Sequence, residues 1–115
     1  SNGEYKMGLD QYAFARRENE EDIEIATWRK HANLEGWASK LYASRGGKGE
    51  FNCVELQLFE LDLMKLEKEH STLEASQGFF WGTSDVRDTE DTQAFIEKAL
   101  GMIEDGYKII YTSWW

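Results

Sequence analysis

The most chemically varied run of the chain is residues 28–33, where aromatic, basic and amide side chains follow one another. Arg29 and Lys30 end a predicted strand, and a predicted helix begins just after them. Cations beside the amide groups of a helix N-terminus are typical of anion sites. The alternative is that both cations pair with the nearby carboxylates of residues 20–22. The run therefore indicates either an anion-binding site or ordinary surface ion pairs.

Residues with catalytic potential are few. His31 can act as a general acid or base or as a metal ligand, whereas His70 lies in the apolar stripe of a predicted helix, and two histidines alone define no site. Cys53 is the single cysteine and has no activating neighbour in sequence, so we expect a buried or half-buried structural thiol. One cysteine excludes a disulfide within the chain and a cysteine-based zinc site. The sequence assigns no catalytic residue and no metal ligand.

The carboxylates are numerous but follow no ligand pattern. Asp85, Asp88, Glu90 and Asp91 precede or begin a helix without the spacing of a calcium loop, which favours helix capping. The glycine-rich run of residues 46–49 lacks the tail of a phosphate-binding loop. The sequence also lacks the signatures of serine hydrolases, zinc proteases and dinucleotide-binding proteins, so we expect no cofactor.

Composition restricts the class of protein. The chain has 115 residues, 41% of them hydrophobic, which predicts a single domain over residues 7–115. Residues 1–6 differ from the rest and are expected to be a cloning remnant or a disordered tail. The net charge of −9 argues against general affinity for nucleic acids or anionic membranes. The absence of an apolar run long enough for a membrane span and the single cysteine predict a cytoplasmic protein.

The spacing of apolar residues predicts both strands and helices. The predicted strands are residues 9–16, 23–31, 51–58 and 107–115, and the predicted helices are residues 34–44, 61–74 and 92–104. Asn33 is the predicted cap of the first helix, and Asp88, Thr89, Asp91 and Thr92 are candidate caps of the last. Residues 78–82 fit either a short strand or a buried loop.

The closing strand organises the prediction. Tyr107, Ile109 and Tyr111 lie on one of its faces, and Ile110 and Trp114 lie on the other. A strand that is apolar on both faces is central in a sheet or covered by a neighbour, and we expect one of the two final tryptophans to be buried. The first two strands are close enough to form an antiparallel hairpin. We therefore predict an α+β domain, with a mixed, mainly antiparallel sheet of about four strands packed against three helices.

Six short segments are distinctive when they are taken together. They are residues 7–12, 28–31, 34–37, 51–52, 78–82 and 111–115. Combined, from the Met-Gly-Leu-Asp start to the Ser-Trp-Trp end, they resemble a family of small uncharacterised proteins encoded by phages, including phages of marine bacteria. The resemblance implies a phage or phage-derived origin and a location in the host cytoplasm. It implies no particular activity.

If the distinctive segments converge in space, they define one candidate ligand-binding site. Its residues are Trp28, Arg29, Lys30, His31, Trp37, Asn52, Trp81, Ser113 and Trp114. Such a site fits an anionic or planar metabolite, bound or turned over by an enzyme.

The function that we favour from the sequence is a non-enzymatic accessory module that binds a host or phage protein. Small size, acidity and five tryptophans suit this interpretation, because aromatic residues dominate interface energetics. The small-ligand site described above is the alternative. The chain is expected to be a monomer or a homodimer, and a dimer that uses the C-terminal strand as a sheet edge is a third hypothesis.

Overall fold

A computed structural model describes residues 8–70 and 86–115, which form a four-stranded sheet and three helices. In chain order the elements are β1 (Asp10–Arg16), β2 (Ile23–Arg29), α1 (Ala32–Ser44), β3 (Leu56–Leu58), α2 (Glu60–Glu69), α3 (Val86–Glu104) and β4 (Lys108–Trp114). The strand order is β2-β1-β4-β3, and each pair of neighbours is antiparallel. The predicted α+β class is confirmed.

The closing strand β4 is central, as its two apolar faces predict. It pairs with β1 on one side and with β3 on the other. Because β4 has a neighbour on each side, it is not an edge strand of the described sheet, and the edge role that the third hypothesis gives it is wrong. The expected burial of a final tryptophan is wrong as well: Trp114 is 50% exposed and Trp115, beyond the ladder, is half-buried.

The predicted hairpin of β1 and β2 is confirmed and contains a bulge. Ala13 lies opposite Ala26, but Phe14 lies opposite Glu24, so Ile25 is the additional residue of β2. Ile25 is buried in the core. Among the described strands, β2 pairs only with β1, and its other side is an edge of the sheet.

The core lies between the helices and one face of the sheet. The ring of Trp28 meets Phe95 of α3 edge to face at 5.1 Å, and Tyr111 of β4 donates a hydrogen bond to Glu35 of α1. The helices contribute Leu34, Ala38, Leu63, Leu66, Phe95, Ile96 and Ala99 to the buried cluster. On the opposite face of the sheet, the half-buried rings of Tyr12 and Phe14 stack at 6.3 Å.

Two predicted helix starts are wrong. The N-cap of α1 is His31 rather than Asn33, and it makes no capping bond with its side chain. Helix α3 begins at Val86, so Asp88 and Thr92 lie inside it instead of capping it. The reason is tertiary: both of these side chains approach the ring of His31, which gives them partners without a helix terminus.

The third predicted strand is shorter than residues 51–58, because only Leu56–Leu58 joins the ladder. Cys53 has a φ of 61°, a left-handed conformation that interrupts an extended strand. Its thiol is exposed, so the expected burial is wrong. Helix α2 ends at Glu69, and residues 71–74 of the predicted helix lie outside the described part of the chain, as do residues 78–82.

Candidate functional site

The predicted site residues lie in three places. Trp28 and Arg29 line a groove beside β2. His31 and Ser113 are buried in a polar network under the helices. The remaining described members lie apart from both groups. Lys30 is exposed and has a φ of 63°, and Trp37 packs against the core. Asn52 forms hydrogen bonds with the backbone of Trp115, and Trp114 is exposed. Trp81 lies outside the described residues.

The buried network is organised by Gln11, which sequence reasoning missed. Its Oε1 accepts a hydrogen bond from the backbone N–H of His31 at 2.9 Å. Its Nε2 donates to the backbone oxygen of His31 at 3.0 Å and to the hydroxyl of Tyr111 at 2.9 Å. One amide thus fastens the start of α1 to β1 and β4. A glutamine in an alternating strand gives no signal of this role in sequence.

Glu35 is the acidic member of the same network. Its carboxylate accepts hydrogen bonds from the hydroxyls of Tyr111 and Ser113, each at 2.7 Å. Burial raises the pKa of Glu35, and the hydrogen bonds that it accepts oppose that rise. Burial, together with the neighbouring Glu35, raises the pKa of Tyr111 well above its usual value. Both side chains are fully buried, so this cluster holds β4 to α1 and meets no substrate.

His31 connects α1 with α3. Its Nε2 lies 3.1 Å from the hydroxyl of Thr92, and its Nδ1 lies 3.9 Å from a carboxylate oxygen of Asp88. An acid, a histidine and a hydroxyl are the residue types of a nucleophilic relay. Thr92 is 0% exposed and His31 is 3% exposed, so no substrate reaches the hydroxyl. The arrangement therefore supports the fold and not catalysis.

An accessible concavity runs between β2 and α3. One half, of about 410 Å³, is lined by Asp10, Thr27, Trp28, Arg29, Arg87, Asp88 and Asp91. The other half, of about 370 Å³, is lined by Ile25, Ala26, Thr27, Asp91, Ala94, Phe95 and Lys98. The two halves share Thr27 and Asp91 and lie next to each other, and together we call them the β2–α3 groove.

The β2–α3 groove has an apolar floor and a charged rim. Ile25, Trp28 and Phe95 belong to the buried core and form the floor. At one end the guanidinium of Arg29 pairs with Asp10 at 3.2 Å, in place of the carboxylates of residues 20–22 that the sequence offered. The rim therefore presents both signs of charge above an apolar base.

The outer edge of β2 offers its backbone to the groove. The backbone N–H of Lys30 donates to the backbone oxygen of Leu9 at 2.9 Å. This bond shows which alternate residues of β2 form hydrogen bonds with β1. In an antiparallel ladder only alternate residues bond to the neighbouring strand. Trp28 therefore bonds towards β1, and the backbone groups of Thr27 and Arg29 point away from it. Both of these residues line the groove.

Two other kinds of site are absent from residues 8–70 and 86–115. No group of three or more His, Cys, Asp or Glu side chains is arranged to hold a metal ion there. In the same residues, no helix has the length and apolar character needed to cross a bilayer. Comparison of the chain with protein-family models, with curated proteins and with solved structures returns no match.

Proposed function

We propose that this protein is a non-enzymatic protein-binding module, of the phage accessory type that its sequence resembles, and that it binds an extended segment of its partner in the β2–α3 groove. The observation that carries the proposal is the outer edge of β2, with which no described strand pairs, beside an open groove whose far wall is α3. An extended segment adds to a sheet edge through backbone hydrogen bonds, and its alternate side chains enter the adjoining groove.

The edge of β2 has few of the features that block strand addition. Natural proteins protect edges with prolines, very short strands or covering elements. The chain contains no proline, and β2 has seven residues. No described strand covers its outer side, where Thr27 and Arg29 present their backbone groups. The bulge at Ile25 lies in the other half of the groove, so the regular stretch available for backbone pairing is Thr27–Arg29.

The dimensions and the floor of the groove suit a peptide. Each half falls within the size range of ligand pockets, roughly 300–1,000 Å³. The buried floor of Ile25, Trp28 and Phe95 supplies apolar contact at the centre, where binding energy is concentrated. The net charge of −9 favours encounter with a basic partner.

The small-ligand alternative is less well supported. Arg29 and Arg87 lie in the same half of the groove, which is the position that an anionic metabolite requires. Asp10, Asp88 and Asp91 line that half as well, and Arg29 is already paired with Asp10. Three carboxylates repel an anion, so the described residues favour a ligand of mixed charge over an anionic metabolite.

The proposal is tested with a displayed library of random seven-residue peptides. Peptides selected on the protein are expected to lose affinity by about a hundredfold or more on Ala94→Trp, because the indole fills the groove and the contacts of the peptide are lost. Ala94 is exposed, so the variant is expected to fold normally. The measurement is fluorescence anisotropy of the labelled peptide.

The matched control for this experiment is Glu90→Trp. Glu90 is also an exposed residue of α3, but it does not line the groove. Selected peptides should bind this variant as they bind the wild type. Failure to select any peptide, or equal binding to Ala94→Trp, would reject the groove as the docking site.

A further inference from the structure

The geometry points to a specific ligand for the β2–α3 groove: an extended segment with a basic, a small apolar and an acidic side chain at alternate positions, in that order from N- to C-terminus. This inference rests on the proposed function and deepens it, because it names the chemistry that the partner segment must carry. Three exposed residues of α3 carry it, namely Asp91, Ala94 and Lys98.

The residues that line the two halves of the groove show in which direction α3 runs relative to β2. Ile25 and Ala26, near the start of β2, share a half with Ala94 and Lys98. Arg29, at the end of β2, shares the other half with residues 87–91. As β2 runs forward, α3 therefore runs backward. A segment that adds antiparallel to β2 consequently runs in the same direction as α3.

The three α3 residues advance about 10.5 Å along the helix, against about 13 Å for three alternate positions of an added strand, a difference that the long side chains at the outer positions of the segment can span. Along a helix axis that rises about 1.5 Å per residue, Asp91 and Ala94 are about 4.5 Å apart, and Ala94 and Lys98 are about 6 Å apart. Side chains on one face of a strand are about 6.6 Å apart. Three alternate side chains of the segment therefore come opposite Asp91, Ala94 and Lys98 in turn.

The charges of Asp91 and Lys98, the first and last of the three α3 residues, are available to a ligand. Asp91 and Lys98 are exposed, and neither forms an ion pair within 4.0 Å with another described residue. By contrast, Arg29 is paired with Asp10, and the carboxylate of Asp88 is buried near His31. The groove therefore offers one carboxylate at its centre and one ammonium at its far end.

The middle side chain of the segment, opposite Ala94, must be small and apolar. Ala94 is the smallest side chain on the α3 wall, and the buried residues Ile25 and Phe95 lie in the same half of the groove. A valine or alanine of the segment covers this apolar floor without displacing α3. A charged residue there would be desolvated without a partner, which is strongly unfavourable.

The order of the charges follows from the direction of addition. Antiparallel pairing is slightly more stable per residue than parallel pairing, and every strand pair in this sheet is antiparallel. A segment antiparallel to β2 meets Asp91 first and Lys98 last. Its basic residue therefore precedes the apolar one, and its acidic residue follows.

The test uses two synthetic peptides of identical composition and opposite order, with the cores Lys-Thr-Val-Thr-Glu and Glu-Thr-Val-Thr-Lys. Wild-type protein is expected to bind the first about tenfold more tightly, because two favourable charge contacts replace two repulsive ones. The double variant Asp91→Lys/Lys98→Asp is expected to reverse the preference. Isothermal titration calorimetry gives the affinities, and circular dichroism confirms that the variant is folded.

A matched control makes the same two charge changes at positions outside the groove. Glu90→Lys/Lys65→Asp leaves the net charge unchanged, as Asp91→Lys/Lys98→Asp does, but neither Glu90 nor Lys65 lines the groove, so the order preference should survive. Equal binding of the two peptides, or a preference that the double variant leaves unchanged, overturns the assigned order. If the displayed library still yields peptides that Ala94→Trp rejects, the docking site stands and only the assigned chemistry fails.

Discussion

Replacing Gln11 by leucine is expected to lower the free energy of unfolding by about 3–5 kcal/mol, the largest effect of any single change considered. The leucine fills a similar volume but makes none of the bonds of the amide. The backbone N–H of His31 loses its acceptor, whereas the oxygen of His31 keeps the N–H of Glu35 and the hydroxyl of Tyr111 keeps Glu35 as its acceptor. Each of these two oxygens loses one of two hydrogen bonds, worth about 0.5–1.5 kcal/mol. Each buried polar group left unsatisfied costs about 1–3 kcal/mol. Urea unfolding followed by tryptophan fluorescence measures the change.

The control for this variant is Gln57→Leu. Gln57 belongs to β3 in the same sheet, but it is only half-buried and its side chain makes none of the network bonds. Its replacement should change the free energy of unfolding by about 0.5 kcal/mol or less. Similar losses for the two variants would show that the Gln11 amide does not hold the start of α1.

Removing the Glu35 side chain is expected to have the second-largest effect. Glu35→Ala leaves the hydroxyls of Tyr111 and Ser113 without their acceptor and opens a cavity in a fully buried site. We expect a loss of about 3 kcal/mol in the free energy of unfolding. Glu35→Gln retains one acceptor oxygen and most of the volume, so it should cost less than Glu35→Ala at acidic pH. Thermal and urea unfolding of the two variants provide the comparison.

Glu35 also gives the stability a defined dependence on pH. Burial raises its pKa in the folded protein above the ordinary value of 4.5, so above that pH the folded state holds a proton that the unfolded state has released. The contribution of Glu35 to the free energy of unfolding is therefore fully present below about pH 4.5 and is lost as the pH rises through the pKa of Glu35 in the folded protein. Glu35→Gln removes this loss, and its stability relative to wild type should increase from acidic to neutral pH. A difference that is independent of pH would contradict the assigned shift.

Two surface carboxylates, Asp22 and Glu55, affect the stability in a lower pH range and with the opposite dependence on pH. Hydrogen bonds from Arg16 lower the pKa of Asp22 and of Glu55 below their ordinary values. Their contributions are present above those ordinary values and are lost as the pH falls. Because these residues are unchanged in Glu35→Gln, the difference between the variant and the wild type isolates the buried carboxyl.

Much of the architecture follows from local patterns. The two-faced apolar character of β4 placed it at the centre of the sheet, and the spacing of Leu34 and Ala38 on α1 identified residues that are buried. The boundaries were less predictable, since they depend on tertiary partners. Helix α3 begins at Val86 and carries Asp88 and Thr92 to His31, a contact that no local preference for capping reveals.

The site was harder to predict than the fold. Trp28 and Arg29 do line the groove, but its far wall comes from Asp91, Ala94 and Lys98, which in sequence look like an ordinary solvated helix face. The strand order decides that this face lies beside the edge of β2, with which none of the described strands pairs. Strand order depends on long-range pairing, so composition and spacing gave no indication of the groove.

Amide hydrogen exchange of β2 with and without a peptide selected from the library tests the central claim most directly. Strand addition predicts that exchange slows at Thr27 and Arg29, whose N–H groups point outward, and stays unchanged at Trp28, which already bonds to β1. If a bound peptide leaves exchange at Thr27 and Arg29 as it is in the free protein, the partner does not add to this edge and the account is wrong.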